Sequence, residues 1–286
     1  SGSKMLWFEK FDPRATVREM ARATVMMGVP TLYVRMHAEP SLTPEAASHM
    51  RLFIAGSAPL LPETFDAWRE RTGHTIVERY GMSETVMLTS NAYHAKDGER
   101  RAGTVGKPLP GVQLRIHDDK GRPCRSGEVG QIEVKGPNVF KGYWRMPEKT
   151  AEEFTADLWF KTGDVGKLDE RGVLSIVGRS KDLIISGGYN VYPAEIEGWL
   201  NEQPGVAESA VVGVPHRDFG EGVIAVVVPK PGAALDAAAL IAAMKDRIAA
   251  FKVPKRVFIE PDLPRNAMGK VQKNLLRELH QGLFNT

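Results

Sequence analysis

The stretch Tyr80-Gly81-Met82-Ser83-Glu84-Thr85 sets two hydroxyls and one carboxylate behind a flexible glycine. Hydroxyls can meet phosphate oxygens, and a lone carboxylate can hold Mg²⁺ together with nucleotide phosphates. The same residues also suit an ordinary helix start, with Ser83 as cap and Glu84 favouring the dipole. In Thr162-Gly163-Asp164 a carboxylate ends a short run, where it can accept from both hydroxyls of a ribose or simply make a turn. In Ile185-Ser186-Gly187-Gly188-Tyr189-Asn190 two glycines follow an apolar run. They permit close backbone approach to a ligand, or a hairpin turn. The turn-rich Leu263-Pro264-Arg265-Asn266-Ala267-Met268-Gly269-Lys270 delivers a lysine near the chain end. That lysine is either solvated or a cation offsetting charge that develops on a phosphate or carboxylate.

Such residues need elements to stand on. An apolar run over 23–27 breaks at Gly28-Val29-Pro30 and continues as a helix from Thr31. A strand is expected over 51–55, ending at Gly56-Ser57-Ala58. A helix of about three turns follows from Pro62, with Phe65 and Trp68 on one face and Gly73 as its stop. The next strand, 75–77, ends in Glu78-Arg79-Tyr80-Gly81. Strand, helix and strand in this order make a βαβ unit with parallel strands. Ligands of open parallel sheets sit beyond the carboxyl ends of the strands, so the breaks at 28–30, 56–58 and 80–84 share one crevice.

From 101 to 177 the texture changes to short β-type runs (112–116, 130–134, 173–177) separated by turns, a small, mostly antiparallel region. After Arg179-Ser180-Lys181 comes an α+β module. Its expected strands are 183–186, 209–214, 223–228 and 256–259. Its helices open at Pro193, span about 235–251 and begin again at Lys273. The fold class is therefore α/β: an α/β unit over 4–100 and a β-rich part over 101–180, followed by a smaller α+β domain over 181–286.

The 286 residues are 42% hydrophobic and 26% charged with net charge +3, which excludes disorder over most of the length. No apolar run approaches the ~18 residues of a membrane span. The polar lead Ser1-Gly2-Ser3 reads as an expression remnant over 1–3 and carries no secretory signal. The single cysteine, Cys124, excludes an internal disulfide framework and any multi-cysteine metal site, and points to a reducing, cytoplasmic setting. The charge implies no nucleic-acid partner. Residues 252–277 nevertheless hold seven basic side chains against Glu260 and Asp262. That excess is either a solvated surface or a patch for a multiply phosphorylated small molecule.

In their order and joint occurrence these motifs resemble the AMP-forming acid–CoA ligases of the adenylating superfamily, over essentially the whole chain. Residues 185–197 look like the CoA-ligase version of the segment after the interdomain hinge, not the peptide-synthetase version. Residues 51–61, 78–85, 136–148 and 263–274 look like the malonate-activating members. The resemblance implies ATP, Mg²⁺ and CoA as reactants, with malonate as the acid. It implies that Ser57, Ala58, Pro59 and Tyr80 line the adenine pocket, that Ser83 meets the α-phosphate and that Glu84 binds Mg²⁺. It implies that Asp164 holds the ribose hydroxyls with Arg179 nearby, and that Lys181 is the hinge. Gly187 and Gly188 would line the pantetheine tunnel, and Lys270 would serve adenylation.

Arg35 and Arg79 fall on the expected crevice edge, where they are either two surface arginines or, as the resemblance to malonate-activating relatives implies, a clamp for the distal carboxylate. Arginine suits a desolvated second carboxylate through bidentate, charge-assisted bonds, whereas a monocarboxylate needs an apolar pocket. The family's Ser/Thr/Gly-rich phosphate loop is not in this sequence, which resembles the C-terminal part of a ligase. The expectation is a chain inactive alone, with a complementary N-terminal chain or an oligomer covering exposed sheet edges. Other readings stay open. They are a CoA ligase for methylmalonate, acetoacetate or an aryl acid, a domain loading a carrier protein, and a non-catalytic module whose Lys270 is the target of a lysine acetyltransferase.

Overall fold

The computed structural model describes residues 2–266 and 269–284. Ser1 of the lead and Ala267 and Met268 of the lysine loop lie outside the described residues. The chain forms two compact units, Ser1–Thr162 with Gly166–Ile176, and Gly163–Val165 with Val177–Thr286.

In the first unit prolines open the helices. α1 (Pro13–Glu19), α2 (Pro30–His37), α3 (Pro44–Ala47) and α4 (Pro62–Thr72) all place Pro at the first turn, where its missing N–H is not needed. Gly73 stops α4 in the left-handed region, at φ +74°. Between these helices run β1 (Val25–Gly28), β2 (Leu52–Ala55) and β3 (Ile76–Tyr80), paired parallel in that order. Helical side chains cover one face of the sheet, where Tyr33, Met36, Phe53, Phe65, Trp68 and Ile76 share a core. Trp68 meets both Tyr33 and Phe53 edge-on with centroids 5.0 Å apart. Leu52, Ile54 and Val77 pack on the opposite face. Two short antiparallel strands, β4 (Thr89–Ser90) and β5 (Lys107–Pro108), extend the sheet beyond β3. A second sheet takes β6 (Gln113–His117), β7 (Gly130–Lys135), β8 (Phe160–Leu168) and β9 (Leu174–Arg179) in sequence order. α5 (Pro147–Glu153) lies between β7 and β8 in the chain.

The second unit contains β10 (Ile184–Ser186), β11 (Tyr189–Val191), α6 (Pro193–Asn201), β12 (Val206–His216) and β13 (Gly220–Pro229). These are followed by α7 (Ala237–Lys245), β14 (Arg256–Ile259) and α8 (Lys273–His280). The strand order is β11-β10-β13-β12, and β14 pairs parallel with β13. The long β12–β13 hairpin reads as nearly continuous valine because both faces are buried. Val211, Val223, Ala225 and Val227 pack with Ile196, Leu200, Leu240 and Met244. Val212, Val214, Ile224 and Val226 pack with Leu263 and Leu276.

The α/β class holds, and three local expectations are corrected. The strand expected over 75–77 continues through Tyr80, so Glu78 and Arg79 are strand residues. The Ser83–Glu84 stretch opens no helix; it is a turn. The helix expected over 235–251 spans only Ala237–Lys245. Beyond it the chain bends, and Phe251 stacks on Tyr189 at 4.5 Å while Lys252 pairs with Glu195 at 2.7 Å. Tertiary contacts there override the propensity of an alanine-rich run.

Candidate active site

The register of the parallel strands aligns the candidate residues. Gly28 lies opposite Ala55, and Ala55 opposite Glu78, so the turns that follow β1, β2 and β3 leave from one edge. In the second turn Ser57 adopts φ +69°, and Ser57, Ala58 and Pro59 are exposed. This turn is tied to β3, because the Leu60 N–H donates to Glu78 Oε1 at 3.0 Å. Glu78 is buried, and its Oε2 has no partner. Burial pushes its carboxyl up to about 7, against the lowering effect of the Leu60 N–H. Arg79, the next residue, directs Nη2 to Met27 Sδ in β1 at 3.7 Å, and its Nε is buried without a partner. Arg35 is exposed in the last turn of α2.

Beyond the buried Tyr80 the chain folds tightly on itself. Leu88 N–H donates to Tyr80 O at 2.9 Å and Thr85 N–H to Met82 O at 3.1 Å. Gly81 is demanded by contact, since a Cβ there would fall on the carbonyl oxygen of Val86. Val86 itself adopts φ +58°, which for a β-branched residue costs about 1–3 kcal/mol. The Thr85 hydroxyl is buried and unpartnered. Side chains from a distant segment hold the loop in place. Asn138 Nδ2 donates to Thr85 O at 2.8 Å and to Met87 O at 3.1 Å. The Phe140 N–H donates to Glu84 O at 2.7 Å, and the Tyr143 hydroxyl to Glu84 Oε1 at 3.0 Å. Burial and the Glu84 carboxylate together push the Tyr143 phenol up to about 12.

Ser83 is exposed on this loop and Glu84 half-buried. No group of three or more His, Cys, Asp or Glu among the described residues could enclose a metal. A single carboxylate with one oxygen open fits a hard divalent cation that arrives with phosphates and takes its remaining ligands from them and from water.

In the second unit Asp164 is buried, and Arg179 Nε lies 3.4 Å from its Oδ1. Lys181 sits in the 3₁₀ turn Ser180–Asp182, whose Asp182 is paired with Arg277 of α8 at 2.7 Å. Gly187 and Gly188, at φ +60° and +81°, form the two-residue turn between β10 and β11. The hairpin alone accounts for both glycines. Phe219 flanks this turn, accepting from the Gly187 N–H at 2.8 Å and carrying Lys255 Nζ 3.8 Å above its ring. Lys270 is exposed, and its backbone meets Asn266: Asn266 N–H donates to Lys270 O, and Lys270 N–H to Asn266 Oδ1, both at 3.0 Å. Arg265 donates to Gly269 O at 2.9 Å and pairs with Glu208 of β12.

The residues therefore assemble in two groups. Ser57–Pro59, Arg79, Tyr80, Ser83 and Glu84 share the edge of the first unit's sheet; Asp164 and Arg179 meet in the second unit. Sequence reasoning missed Glu78, Asn138 and Tyr143. Glu78 was detectable, because period two sets it on the face of Ile76 and Tyr80. Asn138 and Tyr143 carry no local signal, because their partners lie 53 and 59 residues away.

Residues 1–144 match the AMP-binding enzyme family, and residues 195–270 the AMP-binding enzyme C-terminal domain. The malonate–CoA ligase of Arabidopsis thaliana is 42% identical, over 92% of this chain and 45% of its own. The indoleacetate–CoA ligase of Aromatoleum aromaticum is 40% identical, over 98% of this chain and 54% of its own. Among solved structures, ATP-bound MatB from Rhodopseudomonas palustris superposes with TM-score 0.93 at 57% identity, covering 97% of this chain and 55% of that one. The chain spans about half the length of the curated relatives it matches. No helix among the described residues is long and apolar enough to cross a membrane.

Proposed function

The chain belongs to the AMP-binding enzyme family, and from that premise we propose that it serves an acid–thiol ligase that makes malonyl-CoA from malonate, ATP and CoA. In the first step a malonate carboxylate oxygen attacks the α-phosphorus of ATP. The bond to the bridging oxygen breaks, giving malonyl-AMP and pyrophosphate. In the second, the CoA thiol attacks the mixed anhydride and AMP leaves. Glu84 would hold the Mg²⁺ that accompanies ATP, where the cation neutralises phosphate charge. Ser83 would donate to the α-phosphate. Ser57–Pro59 and Tyr80 would line the adenine, and Asp164, oriented by Arg179, would accept from the ribose hydroxyls. Lys270 would offset charge that develops during adenylation. Lys181 would be the turn about which the second unit reorients for thioester formation, bringing Gly187 and Gly188 to the pantetheine arm.

One observation supports the diacid in particular. Arg79 stands at the ligand edge of the sheet beside Tyr80, with a buried Nε donor left unfilled. A guanidinium there suits the free carboxylate of malonate. Overall identity does not choose the acid, because ligases named for malonate and indoleacetate match almost equally well. The test is acid-dependent pyrophosphate exchange and CoA thioester formation across an acid panel. It is run on this chain alone and joined to the preceding half of the Rhodopseudomonas relative. Malonate should lead the panel. Arg79→Ala should lower kcat/KM for malonate by about 100-fold relative to propionate, as for an unpaired buried charge. Equal losses on both acids would remove the malonate reading and leave the ligase.

A further inference from the structure

We propose that Asn138 and Tyr143 are positioning residues that set the Glu84 loop in its working shape before any ligand arrives. The proposal rests on the reading of Glu84 as the carboxylate that meets the cation of Mg·ATP. Two features oppose the loop's shape: Val86 at φ +58° and the buried, unpartnered Thr85 hydroxyl. Its own turn bonds do not address either one. Asn138 opposes the first, because its single Nδ2 group donates to the carbonyls of Thr85 and Met87 and so braces Val86 from both sides. Gly136 makes room for this, since a Cβ there would crowd Asn138 Oδ1 at 2.6 Å.

Tyr143 acts on the carboxylate itself. Its hydroxyl occupies Glu84 Oε1, which fixes the carboxylate plane and leaves Oε2 for a cation. The brace is itself anchored. The Tyr143 N–H donates to Thr150 Oγ1 of α5 at 2.9 Å, and the Tyr143 ring meets Phe140 edge-on at 4.9 Å. Phe140 in turn packs against Phe154 and Phe160. The Glu84 loop is thus tied to a hydrophobic core through one short segment.

The test uses the 286-residue chain. Asn138→Ala should raise hydrogen exchange of the Thr85 and Leu88 amides about tenfold, while β12 amides keep the parent rate. Tyr143→Phe keeps the ring packing and should shift the carboxylate ¹³C resonance of Glu84, assigned with Glu84→Gln. It should also raise the Mg²⁺ needed for half-saturation at fixed ATP about tenfold, with ATP affinity in EDTA unchanged. Exchange that is unaltered in the loop, or faster everywhere, overturns the role of Asn138. An unmoved Glu84 resonance, or a loss of ATP affinity that is the same with and without Mg²⁺, overturns that of Tyr143. If Glu84→Gln leaves the Mg²⁺ dependence of ATP binding unchanged in the chain joined to the preceding half of the Rhodopseudomonas relative, the reading of Glu84 falls, and the exchange and resonance results still decide the positioning.

Discussion

Two glycine loops at strand ends, one in each unit, share a sequence pattern and differ in physics. At Gly187–Gly188 the backbone itself demands glycine: both residues lie at positive φ in a two-residue hairpin that closes on its own ladder. At Gly81 the demand is proximity, because the carbonyl of Val86 occupies the place of a side chain. Beside each loop a glutamate on a strand accepts a backbone N–H from a neighbouring segment. Glu221 Oε2 takes that of Ile185 at 2.7 Å, and Glu78 Oε1 that of Leu60 at 3.0 Å. The bend of the hairpin is set by its own two glycines, and the bonds from Phe219 and Glu221 add to it. The loop of the first unit survives only because distant residues oppose its local cost. The lesson is that a glycine after a strand marks a constraint, and its neighbours decide whether the constraint is local or long-range.

The largest effect belongs to Gly81→Ala. The new methyl would overlap the Val86 carbonyl and crowd Met87 Cα at 3.0 Å. The loss should exceed ~4 kcal/mol, read from denaturant-dependent exchange of the Ile54 and Val77 amides. A loss similar to that of an ordinary turn glycine would show that the two loops obey one rule.

Next in size is a pH effect. Glu78 titrates in the fold near 7, above its ordinary 4.5. Below pH 4.5 both folded and unfolded states hold the proton, and its stabilising contribution is fully present. As pH rises the unfolded chain releases the proton first, so that contribution fades and is gone above about 7. Between pH 4 and 8 the parent should lose about 3 kcal/mol relative to Glu78→Gln, measured by urea unfolding of the first unit. Parallel pH profiles would show that Glu78 is charged in the fold.

Gly188→Ala should be milder. Nothing lies within 4 Å of the added methyl, and only the positive φ opposes it. About 1 kcal/mol is expected, read from exchange in β12 and β13. The smallest effect belongs to Thr85→Val, which replaces a buried hydroxyl without a partner by a methyl of the same shape. It should leave thermal stability unchanged or raise it by up to ~1 kcal/mol; a clear loss would mean the hydroxyl is satisfied.

Much of the frame was legible because proline and glycine punctuate it. Pro62 and Gly73 bound α4 as expected, and Phe65 and Trp68 face the core. The parallel pairing of β1 to β3, and the common edge it creates, followed from element order alone. Misplacing the end of β3 at residue 77 concealed Glu78, which then read as part of a loop. The length of α7 was misread because Phe251 and Lys252 have partners on another element. The brace from Asn138 and Tyr143 was illegible for the same reason, as only the folded chain brings those residues to Glu84.

The register that sets Gly28, Ala55 and Glu78 abreast separates what is inherited together from what can vary alone. Trp68, Phe53 and Tyr33 are interlocked behind the sheet, so a change in one burdens the others. The turns in front carry exposed side chains at Ser57, Ala58, Pro59 and Ser83, whose replacement disturbs no such packing. A scaffold divided in this way gathers at one rim the positions whose replacement leaves the interlocked rings undisturbed.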